Sequence, residues 1–277
     1  MSIKSLEEAQ EILKKHYTLQ QKVVDESGVK IDMLWVSIEY THSQDVFKIS
    51  QYLIENDEVL KKLDNKYKLY GQLSALLHDI GRAYEVGDMK DKVKPHGYYG
   101  ADIILKQVEK ENNPFILIPV KYHGDLKAEE NARKELEEID DLSDEEKEIV
   151  IMLLKLVMDS DKLANFKMFK KFDRKYFVNL IGLDEKPYIS DECFESFKNR
   201  ELVSLKDRKT VLDKILLTIC WIYDLNYQAS IDLVKKEKHL EDYLNLFEKY
   251  IDNNQKTKDT ENKINFIKQQ LIEDNFI

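Results

Sequence analysis

Four of the six histidines in this 277-residue chain, His42, His78, His96 and His123, fall between positions 42 and 123. Six of the eight glycines, Gly71, Gly81, Gly87, Gly97, Gly100 and Gly124, lie between positions 71 and 124. Gly81, Gly97 and Gly124 each stand within three residues of a histidine, where a backbone has to turn or approach closely. His78-Asp79 ends a helical pattern, Leu73-Ser74-Ala75-Leu76-Leu77, whose small and apolar residues belong to a packed face. Two adjacent metal-type ligands at a buried helix end are costly unless something satisfies them, and a divalent cation would do so. His42 shares one helix face with Val46, Ile49 and Leu53. His96 has Gly100 and Ile103 at its i+4 and i+7 positions, again an inward face.

Two aspartates compete for a place near this group. Asp161 follows Leu154, Val157 and Met158 by 7, 4 and 3 residues and continues their stripe, whereas Asp159 is expected to face outward or sideways. The inventory is therefore His42, His78, Asp79, His96, His123 and Asp161. Imidazoles with carboxylates suit one or two divalent transition metals such as Fe, Mn, Zn, Co or Ni, and not a thiolate site. Six ligands suffice for two ions if a carboxylate bridges, and Asp79 is the natural bridge because His78 beside it fixes one ion. The same residues also admit plainer roles. His42, His78, Asp79 and Asp161 could pair with one another in a core, and His96 and His123 could bind a phosphate or cap helices.

The elements that must position these residues are helices. Only 8 glycines and 4 prolines punctuate the chain, apolar positions recur at helical spacing, and an all-α fold is expected. Helical patterns run from Ser5 to about 28, through His42 to Leu53, from about 66 to 80 with Gly81 as a C-terminal cap, and from His96 to about 110. A short apolar segment follows over 115–122. Ser143 and Glu146 form a capping box that opens the helix reaching Asp161. The acidic stretch between 129 and 146 reads as a solvated, partly helical excursion. After a connector at 171–190, further patterns lie at 191–203, 209–225, 228–236 and 239–251. A polar linker is expected at 252–263, followed by an amphipathic helix at 264–277. His16 and His239 read as surface or boundary residues, and Trp35 and Trp221 as core packing.

The chain carries 43 Lys and Arg against 53 Asp and Glu, a net charge of −10, which disfavours a partner of nucleic-acid polymer. There is no apolar run of membrane-spanning length and no secretory leader pattern, and Cys193 and Cys220 offer no disulfide framework. The expectation is a cytoplasmic protein with no membrane partner.

The ordered set resembles the HD-domain superfamily of metal-dependent phosphohydrolases. The resemblance is carried by Thr41-His42-Ser43, by Leu77-His78-Asp79-Ile80-Gly81-Arg82, and by Ser160-Asp161-Lys162-Leu163, which matches a family motif with Ser in place of Ala. Pro95-His96-Gly97 and Tyr122-His123-Gly124 stand where the two-metal subset has its additional histidines. The Gly-Tyr-Pro signature of the cyclic-di-GMP-degrading branch is missing.

The resemblance covers about residues 35 to 165. It implies an HD-domain helical bundle there; outside it, the helical patterning gives an N-terminal helix at 1–34 packed on that core and additional C-terminal helices at 166–277, which could carry substrate selection or a homo-oligomer contact. The resemblance also implies hydrolysis of a phosphoester or phosphoanhydride in a nucleotide or small phosphorylated metabolite. Asp79 and Arg82 would be catalytic, and Arg82, Lys127 and Lys162 would hold substrate phosphate. Arg82 has an ordinary alternative, a surface pair with the acidic 85–91 loop. Two other functions remain open. One is a di-iron centre that activates O₂; the other is a nucleotide-binding sensor without turnover.

Overall fold

The computed structural model describes residues 5–27, 33–82, 94–107, 113–171, 182–251 and 257–277, with side chains from 19 to 37 and at 107 left aside. Among the described residues there are twelve α-helices and no strand, so the fold is all-α. One isolated parallel bridge joins Asp184 to Thr210. The chain divides into two compact units, Met1–Ala164 and Asn165–Ile277.

The N-terminal unit holds α1 (Leu6–Ser27), α2 (Met33–Asn56), α3 (Asn65–Leu77), α4 (His96–Gln107), α5 (Pro114–Tyr122), α6 (Ala128–Glu137) and, as far as Ala164, α7 (Asp144–Phe169). A short 3-10 turn at Leu60–Lys62 separates α2 from α3. Its core joins Ala9, Leu13 and Tyr17 of α1 to Leu73, Leu76 and Leu77 of α3 and to Ile116, Leu117 and Val120 of α5. A second cluster packs Val46 of α2 and Ala75 of α3 against Val157 and Ala164 of α7. α3 thus presents one face to each cluster, and its last five residues, Leu73–Leu77, are all buried. The His78-Asp79 pair directly follows it.

Local chemistry accounts for several boundaries. Asn113 caps α5, accepting from the Phe115 N–H at 3.1 Å, with Pro114 at the first helical position. The capping box at α7 is present, with the Glu146 N–H donating to Ser143 Oγ at 3.2 Å and the Ser143 N–H to Glu146 Oε2 at 3.1 Å. Gly81 does not act as the expected left-handed cap. The helix ends at Leu77, and His78 follows in right-handed helical conformation. Gly81 serves close approach instead. A Cβ there would lie 2.1 Å from the His96 carbonyl oxygen and 2.4 Å from the Gly100 nitrogen. Gly97 meets α5 in the same way, 2.4 Å from the Lys121 carbonyl oxygen. These two glycines let the His78-Asp79 turn, α4 and α5 touch through backbone.

The C-terminal unit contains α8 (Asp191–Lys198), α9 (Val211–Cys220), α10 (Gln228–Lys236), α11 (His239–Tyr250) and α12 (Lys258–Glu273). A 3-10 turn, Trp221–Asp224, extends α9. Thr210 and Asp213 form a complete capping box at the start of α9. The polar stretch expected to remain a linker to 263 is already helical from Lys258. Thr257 accepts from the Thr260 N–H at 3.1 Å, a cap strong enough to start a helix in polar sequence. Residues 252–256 lie outside the described residues. α12 packs within its own unit, burying Ile267 and Leu271 and donating from Gln270 Nε2 to the Phe197 carbonyl at 3.0 Å. No described helix is long and apolar enough to cross a membrane.

Candidate metal centre

The helices of the N-terminal unit bring all six expected side chains to one place. His42 comes from the middle of α2, His78 and Asp79 from the turn after α3, His96 from the first residue of α4, His123 from the end of α5, and Asp161 from α7. Their ligand atoms fall into two groups, His42–His78–Asp161 and His78–Asp79–His123. Within each group the ligand atoms lie within 4.8 Å of one another, a spacing that could hold a metal ion.

The contacts are directional. His42 Nε2 is 2.8 Å from Asp161 Oδ1, and His78 Nε2 is 3.7 Å from the same oxygen. Asp79 divides its two oxygens: Oδ2 faces His78 Nε2 at 3.3 Å and His42 Nε2 at 3.9 Å, while Oδ1 faces His96 Nε2 at 3.1 Å and His123 Nε2 at 3.6 Å. Two histidines are held by backbone. His78 Nδ1 lies 2.9 Å from the Ala75 carbonyl oxygen and His123 Nδ1 lies 2.8 Å from that of Val120. A carbonyl only accepts, so Nδ1 carries the hydrogen and Nε2 turns into the cluster, the arrangement typical of metal-ligating imidazoles.

Several atoms are incompletely satisfied by protein alone. His78 Nε2 and Asp79 Oδ1 are buried without a hydrogen-bond partner among the described residues. The Nε2 atoms of His96 and His123 face each other at 3.1 Å. Converging lone pairs in a buried place are unfavourable unless protonated or bound to a cation, and nitrogen and oxygen donors of this kind suit a divalent transition metal. In the protein alone protons take that part. Burial opposes charge on His78, but Asp79 and Asp161 carry its pKa up to about 10. Burial likewise opposes ionisation of Asp79, yet Arg82, His78 and His96 hold its carboxyl well below the usual range. On His123, burial prevails over Asp79 and lowers the pKa.

Arg82 does not sit apart as a free clamp, and its partner is not confined to the 85–91 loop, which lies outside the described residues. Its Nη2 is 3.1 and 3.3 Å from the two oxygens of Asp79. Lys127 is 71% exposed and pairs with Glu130 at 3.1 Å, a surface ion pair. Lys162 is half-buried beside Asp161. Asp161 lies beside His42 and His78 and is half-buried, whereas Asp159, expected from helical phase to face outward or sideways, is fully buried. Leu156, Ser160 and Leu163 are buried with it, whereas Lys155, Met158, Asp161 and Lys162 are only half-buried and form the more open side of α7, so the covered face is wider than the Leu154–Val157 stripe and takes in Asp159. His16 and His239 are buried too, against expectation. His239 stacks on Phe166 with its Nδ1 2.9 Å from Lys170 Nζ.

Glu39 escapes a reading by residue type. It stands one turn before His42 on α2. Burial and the charge of Asp79 raise its carboxyl pKa. Its i−3 relation to His42 is the one signal the sequence offers. Tyr17 belongs to the same neighbourhood through a 3.2 Å hydrogen bond with Ser43 Oγ.

Comparison with protein-family models, curated proteins and solved structures returned no match, so the resemblance to HD-domain proteins rests on the motifs and on this geometry.

Proposed function

We propose that the chain is a metal-dependent phosphohydrolase of HD type, cleaving a phosphoester or phosphoanhydride of a nucleotide or small phosphorylated metabolite. The observation that carries this reading is the division of Asp79, one oxygen toward His42 and His78 and the other toward His96 and His123. A carboxylate so placed is suited to bridge two ions. Bound there, such ions would supply a nucleophilic water at neutral pH and offset charge on phosphoryl oxygens.

The chain's own groups have distinct parts. His78 and His123, each anchored through Nδ1 to a carbonyl, keep their Nε2 atoms oriented before any ligand arrives. Asp161 closes the other half against His42. Arg82, 29% exposed and beside Asp79, has guanidinium donors in reach of a substrate phosphate presented to the cluster. Lys162 is a weaker candidate for the same part, and the surface pair of Lys127 makes it weaker still.

The test is phosphate release from a panel of nucleotides and sugar phosphates with added Mn²⁺, with Asp79→Ala as control. Release by the unmodified protein, lost with metal retention in Asp79→Ala, is expected. Silence across the panel with metal verified in the protein would overturn hydrolysis, and a turnover dependent on O₂ would replace it.

A further inference from the structure

The C-terminal unit buries a positive charge that no carboxylate among the described residues answers. Lys214, on the first full turn of α9, is 5% exposed. Its Nζ lies 3.8 Å from the centroid of the Phe169 ring and 5.1 Å from that of Trp221. The two rings are themselves 6.0 Å apart, so the ammonium is lodged among aromatic faces. Arg208, in the turn that leads into α9, is half-buried, and its Nε is shielded from solvent without a hydrogen bond. Neither side chain has an ion-pair partner among the described residues.

The nearest acid in sequence is already committed. Asp213 accepts from the backbone N–H groups of Ser190, Lys209 and Thr210 at 2.8, 2.9 and 3.0 Å. Those bonds fasten the start of α9 and draw the carboxylate to the backbone. What remains is two cations with no counter-charge among the described residues, in a chain whose net charge is −10. The attraction of aromatic faces for an ammonium is far smaller than the cost of its full desolvation. Burial and the nearby Arg208 charge accordingly press the Lys214 pKa down to about 7.

We infer that Lys214 and Arg208 form a binding site for a small oxyanion, the phosphate or carboxylate group of a metabolite, walled by Phe169 and Trp221. This site belongs to the C-terminal unit and stands whether or not the cluster around Asp79 hydrolyses phosphate. An anion would supply the counter-charge missing among the described residues, through charge-assisted hydrogen bonds to an ammonium and a guanidinium.

Trp221 reports on the site directly. The chain has two tryptophans, so Trp35→Phe leaves Trp221 as the only indole. In that full-length background, with EDTA present throughout, emission is followed during titration with inorganic phosphate and, separately, with acetate. Chloride at matched ionic strength is the control. A saturable change with phosphate or acetate is expected, and whichever acts assigns the headgroup. Lys214→Met and Arg208→Gln should each weaken half-saturation at least tenfold while the far-ultraviolet spectrum stays helical. The two variants report independently, so misfolding of one leaves the other decisive. No saturable change beyond chloride, or an unchanged response in a folded variant, would overturn the site.

Discussion

Arg82 and Lys214 are both cations out of free solution, and their surroundings give them opposite behaviour. Arg82 is neutralised by Asp79. In a working hydrolase its loss should remove one charge-assisted contact to substrate, worth about 1.5–3 kcal/mol, and so raise KM roughly 10- to 100-fold. Arg82→Ala should keep its metal, measured by elemental analysis; metal loss would mean that the guanidinium serves only to hold Asp79. For Lys214 the expected effect is on stability. The unfolded chain keeps this lysine protonated to about pH 10.4, whereas burial and Arg208 bring the folded value down to about 7. The folded state therefore binds fewer protons between these values, and its stability rises with pH across that interval. Lys214→Met should melt above the unmodified protein at pH 6.5, and the gap should close toward pH 10. A gap independent of pH would mean that the ammonium is satisfied as it stands. The metal-type ligands were legible because histidine and aspartate are rare in apolar helical stripes. The pairing of Arg82 with Asp79 was not, because it depends on side-chain direction within a turn.

At the scale of elements, the site depends on contacts between backbones. Gly81 and Gly97 let the His78-Asp79 turn, α4 and α5 meet with no side chain between them. Gly97→Ala would place a methyl 2.4 Å from a carbonyl oxygen that cannot step aside. The expected cost is about 1–3 kcal/mol with a displaced His96, seen as a lower midpoint in urea and weaker metal retention. A neutral result would show that α4 can shift freely. Helix existence was largely readable from periodicity and caps, as Ser143 with Glu146 shows at α7. Ends were less so. α3 stops before the His-Asp pair, and the turn that follows lies against α4 at Gly81, while α12 begins early because Thr257 caps a polar segment whose composition suggested a linker. Asp159 shows the same limit: helical phase ranks two aspartates on one helix but cannot say how many sides that helix has covered.

For the whole molecule, the chain divides at Ala164 and Asn165 into two compact units, with the metal-type ligands confined to the first. A metal that binds only the folded form of the first part should stabilise that part by mass action. Stripping metal with EDTA should lower the unfolding temperature of the N-terminal unit while leaving the C-terminal transition near its place, read by scanning calorimetry and by Trp221 emission. Equal shifts in both would refute an exclusive metal site among the first 164 residues. The sequence suggested a boundary where the metal motifs cease. It could not suggest the oxyanion site, because Phe169, Arg208, Lys214 and Trp221 show no common period.

The 2.8 Å contact between His42 and Asp161 spans 119 positions of the chain. During synthesis the four histidines and Asp79 emerge first, and the carboxylate that completes the set emerges last. A nascent chain halted before residue 161 would thus carry the second group of ligands complete and the first without its carboxylate. Metal capture by the full set would consequently be a late event in biogenesis, and arrested chains of increasing length would show at what point the ion becomes resistant to chelation.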